Sequence, residues 1–208
     1  MLGDPVEISP LFPLVMVALP GEIVPLHIFE PRYRTMIGEC LEQGTGFTII
    51  RTVEDAVETV GCSMRVTEVL ERFDDGRLNI ITRGVAPVRI VEERHGSPYH
   101  AALVTVLEDD DEVPDPEMRS AAQDAYARLV LEASEREIDP VELSLMSSYD
   151  MAATVELSPD LKQRLLELRS ENGRLNLLAR VLRAALKRLD YIEVAEVRAS
   201  SNGVVRFG

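Results

Sequence analysis

Residues Thr59–Arg83 read TVGCSMRVTEVLERFDDGRLNIITR, and what this stretch becomes decides the fold. Apolar and β-branched residues recur over Thr59–Phe73 and again over Arg77–Arg83, where Asn79, Ile80, Ile81 and Thr82 read as strand. Between the two runs, Asp74-Asp75-Gly76 supplies short polar side chains and a glycine, the chemistry of a tight reversal. A β-hairpin is predicted.

Outward from the hairpin, Val85–Val91 continues the second strand beyond Gly84, and Gly96-Ser97-Pro98 marks a turn before a further strand over Tyr99–Leu107. On the other side, Phe47–Thr52, FTIIRT, is another strand candidate. Leu26–Arg34, LHIFEPRYR, parses as the end of an extended segment, with Glu30-Pro31 opening a helix that has proline at its first position. Tyr33, Met36, Ile37, Cys40 and Leu41 then recur at helical spacing and face a core, while Arg32 and Arg34 fall outside that stripe. Strands joined by short turns, with one helix among them, predict an antiparallel or mixed sheet curled toward a barrel.

The pattern changes after Glu108–Glu117, EDDDEVPDPE, a run of seven acids and no base that reads as a solvated connector. Asp115-Pro116, Asp139-Pro140 and Ser158-Pro159 each place a capping side chain before a proline, the favoured start of a helix. In the last helix Leu175, Leu178, Leu182, Leu186 and Leu189 form an apolar stripe. Arg180, Arg183 and Lys187 form a second, basic stripe on the same helix, a candidate docking face. Burial of a leucine is worth about 1.5–3 kcal/mol against about 0.3–0.5 kcal/mol for a surface helix ion pair, so packing by the leucines fixes the helix. The expected class is α+β: a β-rich subdomain over 1–113, an α-helical bundle over 114–199 and a tail over 200–208.

Charge and motifs exclude several functions. A net charge of −14 disfavours nucleic acid and anionic membranes as partners. No apolar stretch reaches the ~20 residues of a membrane helix, and the amino terminus has no basic residue before its first apolar run, so a cytoplasmic address is expected. Cys40 and Cys62 lack CxxC spacing, and the three histidines, His27, His95 and His100, fall in no metal-ligand pattern. No glycine precedes a lysine, so there is no Walker loop, and neither GxGxxG nor GxSxG occurs. No catalytic residue, cofactor or metal is assigned. The apolar, proline-broken segment Leu11–Phe29 instead points to a protein-binding module.

The stretch LFPLVMVALPGEIVPLHIFEPRYRTMI (Leu11–Ile37), with VGCSMRVTEVLERFDDGRLNIITRGVAPVRI (Val60–Ile90) and SPDLKQRLLEL (Ser158–Leu168), resembles the amino-terminal domain of the Lon ATP-dependent proteases. The resemblance covers residues 10–190 and implies a β-rich PUA-like subdomain followed by an α-helical bundle. In full-length Lon this domain helps to recognise and hold protein substrates and supports assembly, while the ATPase and serine–lysine protease lie further along. The expectation is a stand-alone, non-enzymatic homologue that binds exposed apolar segments of unfolded or client proteins and self-associates weakly. Phe29, Arg32, Tyr33 and Arg34 are the candidate binding surface. An adaptor or self-assembly module with fixed partners is the alternative, with PUA-like RNA binding behind it.

Overall fold

The computed structural model describes residues 6–54 and 56–202, with side chains as far as Tyr191. The chain forms two compact units. One reaches Glu112 and takes in Tyr149–Ser170; the other comprises Val113–Ser148 and the chain from Glu171. Tyr149–Ser170, read from the sequence within the helical segment 114–199, thus lies in the first unit.

Six strands build the first unit: β1 (Val6–Leu14), β2 (Ile23–Ile28), β3 (Phe47–Val53), β4 (Ala56–Arg72), β5 (Leu78–Arg94) and β6 (Ala101–Val106). Helix α1 (Pro31–Gln43) lies between β2 and β3 in the chain. The sheet order is β2-β5-β4-β3-β1-β6, and β6 also pairs with β5, so five strands close into a ring with β2 outside it. All pairings are antiparallel except β1 with β3. The predicted hairpin is β4–β5, with Gly76 at the left-handed φ of 84° that its turn needs. Closure depends on strands that change partner along their length. The start of β5 pairs with β2 and its end with β6, and β1 passes from β6 to β3 near Pro10. Pro10 and Pro13 each sit where β1 is in register with a single neighbour, so the missing N–H disrupts no second ladder.

Leu11, Ile50, Val88, Ala102 and Val104, from four of the strands, meet in one buried cluster. Helix α1 follows the expected pattern: Pro31 opens it, Gly44 closes it in the left-handed region, and Tyr33, Met36, Ile37 and Cys40 are buried. The Tyr33 ring packs 4.2 Å from that of Phe12. Helix α5 (Pro159–Glu167), capped by the Ser158 hydroxyl, packs on β4 and buries Leu165 and Leu166. Gln163 on α5 donates to the Val60 carbonyl at 3.1 Å, and Lys162 meets Glu22 at 2.5 Å with both side chains largely covered. The acidic connector is held rather than loose. Arg169 donates to the Glu108 carbonyl and accepts, through its own carbonyl, the Asp110 N–H.

In the second unit, α2 (Pro116–Ser134) packs along α6 (Glu171–Asn202), with α3 (Pro140–Leu145) against α2. Between α3 and α5 the chain forms α4 (Ser148–Ala152). Asp115 and Asp139 accept the N–H groups of the helices they precede, as their Asp-Pro pairs predict. Contacts of Asp115 with Asn172, Ala121 with Arg183 and Arg128 with Asp190 advance together, so α2 and α6 run in the same direction. Leu175, Leu178, Leu182 and Leu186 are buried as predicted, but Leu189 is 38% exposed and falls off the stripe. Helix α6 continues through the first residues of the expected tail at 200–208; residues 203–208 lie outside the described residues.

Candidate functional site

The exposed end of β2 and the first turn of α1 bring most of the predicted surface together. Strand β2 alternates: Val24 and Ile28 are buried, while Ile23, Pro25 and His27 face outward. Phe29 follows, 59% exposed, with its ring stacked 5.9 Å from His27. The His27 ring also meets Phe73 edge-on at 6.0 Å, and its Nδ1 lies 2.6 Å from Asn79 Oδ1. Arg77 lies over the Phe73 ring at 4.9 Å and pairs with Asp75 at 2.7 Å. An aromatic and cationic surface results, contributed by β2, the α1 start and the hairpin tip.

The four predicted residues have different surroundings. Arg32 is exposed, pairs with Glu30 at 2.9 Å and lies 4.5 Å over the Tyr33 ring. Tyr33 is only 5% exposed. Burial raises its phenol pKa, and the Arg32 charge partly offsets this. Arg34 reaches across to the hairpin turn, where its Nη1 donates to the Asp75 carbonyl and its guanidinium covers Gly76. The backbone N–H of Arg77 holds the exposed Asp75 carboxyl below its usual range, with the Arg77 and Arg34 charges adding to the effect. Phe29 and Arg32 therefore face solvent, whereas Arg34 braces the turn and Tyr33 packs beneath Arg32.

The outer edge of β2 is open: among the described residues it pairs with β5 alone. One step beyond its first pair, the Gly84 N–H donates to the Glu22 carbonyl at 2.9 Å. Alternation from that bond aims the backbone of Val24, Leu26 and Ile28 at β5 and that of Ile23, Pro25 and His27 away from it. Pro25 thus sits where its lack of an N–H breaks no existing bond. In the second unit, Arg180, Arg183 and Lys187 are all exposed. Arg183 donates to the Ala121 carbonyl at 3.4 Å, which leaves its charge at the surface.

A model of the ATP-dependent protease La (LON) substrate-binding domain matches residues 8–184. The chain belongs to this family. Its match is to the substrate-binding domain of Lon, not to a protease or ATPase domain. The Lon protease of Anaeromyxobacter dehalogenans (strain 2CP-C) is 27% identical over 208 residues, spanning 87% of this chain. The chain covers 24% of that relative's length. The Lon N-terminal domain protein from Xanthomonas campestris superposes with a TM-score of 0.65 at 26% identity, covering 83% of this chain and 96% of that one. The N-terminal domain of the Mycobacterium avium complex Lon protease shares the fold, with a TM-score of 0.61 at 22% identity over 85% of this chain and 98% of that one.

Two features of this Lon-family chain escaped the sequence reading. Arg174, on the first turn of α6, is 2% exposed; it binds Glu171 at 2.8 Å and the Ser148 hydroxyl at 3.0 Å. Its place one position before Leu175, at the edge of the apolar stripe, was the available signal. The second is a cleft at the β5–β6 turn to which Arg32 contributes. Among the described residues no group of three or more His, Cys, Asp and Glu is placed to hold a metal ion, and no helix is long and apolar enough to cross a membrane.

Proposed function

We propose that this chain is a non-enzymatic protein-binding module that holds extended apolar segments of client proteins along β2. The observation that carries this is the open edge of β2, flanked by outward apolar side chains. The edge offers the N–H groups of Ile23 and His27 and the carbonyls of Ile23, Pro25 and His27 to an added strand. Ile23 and Phe29 offer apolar surface beside it. Strand addition takes affinity from the main chain and selectivity from alternate side chains, so it suits a module that meets many sequences. Each hydrogen bond adds about 0.5–1.5 kcal/mol and each covered large apolar side chain about 1.5–3 kcal/mol. Against an association cost of at least ~4 kcal/mol, the sum reaches micromolar binding only when edge and side chains act together. Membership of a substrate-binding family supports the same reading.

Fluorescence anisotropy with labelled apolar peptides tests it. Saturable micromolar binding is expected, weakened about tenfold or more by Phe29→Ala, and again by N-methylation of alternate peptide amides. No saturable binding to any apolar peptide would sink the proposal.

The exposed Arg180, Arg183 and Lys187 favour a second reading, an adaptor or self-assembly module with fixed acidic partners. Light scattering at low and high salt separates the two, because docking through this stripe weakens as salt screens it. RNA binding is the least supported reading, given the net charge of −14.

A further inference from the structure

At the β5–β6 turn, Arg32, Arg94, His95, Gly96, Ser97, Pro98, Tyr99 and His100 line a cleft of ≈ 230 Å³. Four of these eight are arginine or histidine and none is acidic, in a chain with 36 Asp and Glu against 22 Lys and Arg. We propose that this cleft binds a small oxyanion, a carboxylate or a phosphate group. The inference is independent of strand addition at β2 and does not require a peptide ligand.

The two arginines and two histidines come from separate places in the chain. Arg32 belongs to the first turn of α1, Arg94 ends β5, and His95 and His100 flank the turn. The turn that gathers them is braced on two sides. Tyr99 Oη donates to Glu39 on α1, and the His100 carbonyl accepts the Leu11 N–H at 2.7 Å. Partial burial, with the Glu39 hydrogen bond and charge, pushes the Tyr99 phenol up to about 12, so it remains a donor to Glu39 across the neutral range. The bond to Tyr99 also ties up Glu39 outside the lining. Gly96, at φ 110°, gives the turn a backbone shape that side-chain-bearing residues rarely adopt.

Two carboxylates compete for the arginines: Glu30 lies 2.9 Å from Arg32 and Glu92 lies 3.4 Å from Arg94. All four side chains are substantially exposed, and exposed pairs of this kind hold weakly, so either guanidinium can turn its free N–H groups to a ligand. Arginine forks match the paired oxygens of carboxylate and phosphate alike. The site therefore selects the oxyanion, and its carrier is left to experiment.

The test titrates the ¹⁵N-labelled full chain with sodium phosphate or sodium acetate at fixed ionic strength, following amide shifts. Saturation with a Kd on the order of 1–10 mM is expected, with shifts confined to residues 94–100 and the start of α1. Both Arg94→Gln and His100→Gln lie at exposed positions and should raise the Kd several-fold. Saturation by phosphate alone supports the site with a phosphate-bearing small molecule as its ligand. Saturation by both anions supports it with carboxylates, including acidic side chains of protein segments, among its ligands. Linear, unsaturated shifts with both anions, or saturation that neither substitution alters, would overturn the proposal.

Discussion

The crossing of Leu19 over Gly84 gives the most demanding test of the fold. A Cβ built on Gly84 would stand 2.0 Å from the Leu19 carbonyl oxygen, 2.8 Å from its carbon and 3.2 Å from Cys62 Sγ. The first two neighbours are backbone and cannot swing aside. Restoring ordinary contact requires the Leu19–Glu22 loop to retreat by about 1.4 Å. That retreat strains the bonds that seat the loop: Gly84 N–H to the Glu22 carbonyl at 2.9 Å and Gly21 N–H to the Gly84 carbonyl at 3.0 Å. Two hydrogen bonds at about 1 kcal/mol each, added to an overpacking cost of about 1–3 kcal/mol, predict that Gly84→Ala destabilises by about 3–5 kcal/mol. For a chain of this size the melting midpoint should fall by roughly 6–20 °C. Thermal unfolding followed by circular dichroism, beside wild type, measures it. A loss under about 1 kcal/mol would refute the tight crossing. Because the same loop leads into β2, peptide binding should weaken along with stability.

Gly38 is the contrasting glycine. It lies inside α1 with nothing within 4 Å of where a methyl group would stand, so Gly38→Ala should stabilise by about 0.5–1 kcal/mol, read from the same melts. Burial pushes the Cys62 thiol up to about 12. At pH 8 this leaves it roughly 10³-fold less ionised than a free thiol, so a thiol reagent should label it only on unfolding. Since the folded pKa is the higher one, its contribution to stability is complete below about pH 8.5 and declines as pH rises toward 12; Cys62→Ala should flatten that decline in pH-dependent melts. Glu171→Ala removes the carboxylate that accepts from both buried Arg174 and the Ser148 hydroxyl and should cost about 1.5–3 kcal/mol in chemical denaturation, whereas Glu171→Gln should cost less.

Local chemistry made much of this structure legible. Asp74-Asp75-Gly76 marked the hairpin, and the Asp-Pro and Ser-Pro pairs marked three helix starts, because turns and caps are settled by neighbours in the chain. The spacing of Tyr33, Met36, Ile37 and Cys40 named the buried face of α1 and left Arg32 and Arg34 off it. Pairings between distant segments leave no comparable trace. The parallel match of β1 with β3, the β5–β6 pairing that closes the ring and the meeting of Arg174 with Ser148 are set by which surfaces pack best once the chain has collapsed. The cleft followed the same rule. His95 and His100 were legible as the ends of a turn, but nothing near them announced Arg32, more than 60 residues earlier.

The common direction of α2 and α6 has a consequence for synthesis. Two helices side by side and pointing the same way require the chain between them to travel back, and part of that return, Tyr149–Ser170, belongs to the other unit. The units are therefore interleaved in chain order. Tyr126 on α2 emerges from the ribosome 60 residues before Leu186 on α6, a wait of roughly 3–12 s at about 5–20 residues per second. During that interval Ala122, Ala125 and Tyr126 have no α6 to cover them, while the first unit gains Leu165 and Leu166 and can close. A nascent chain that has emerged as far as residue 170 would thus carry a finished strand-rich unit and an uncovered helix, an early target for chaperones.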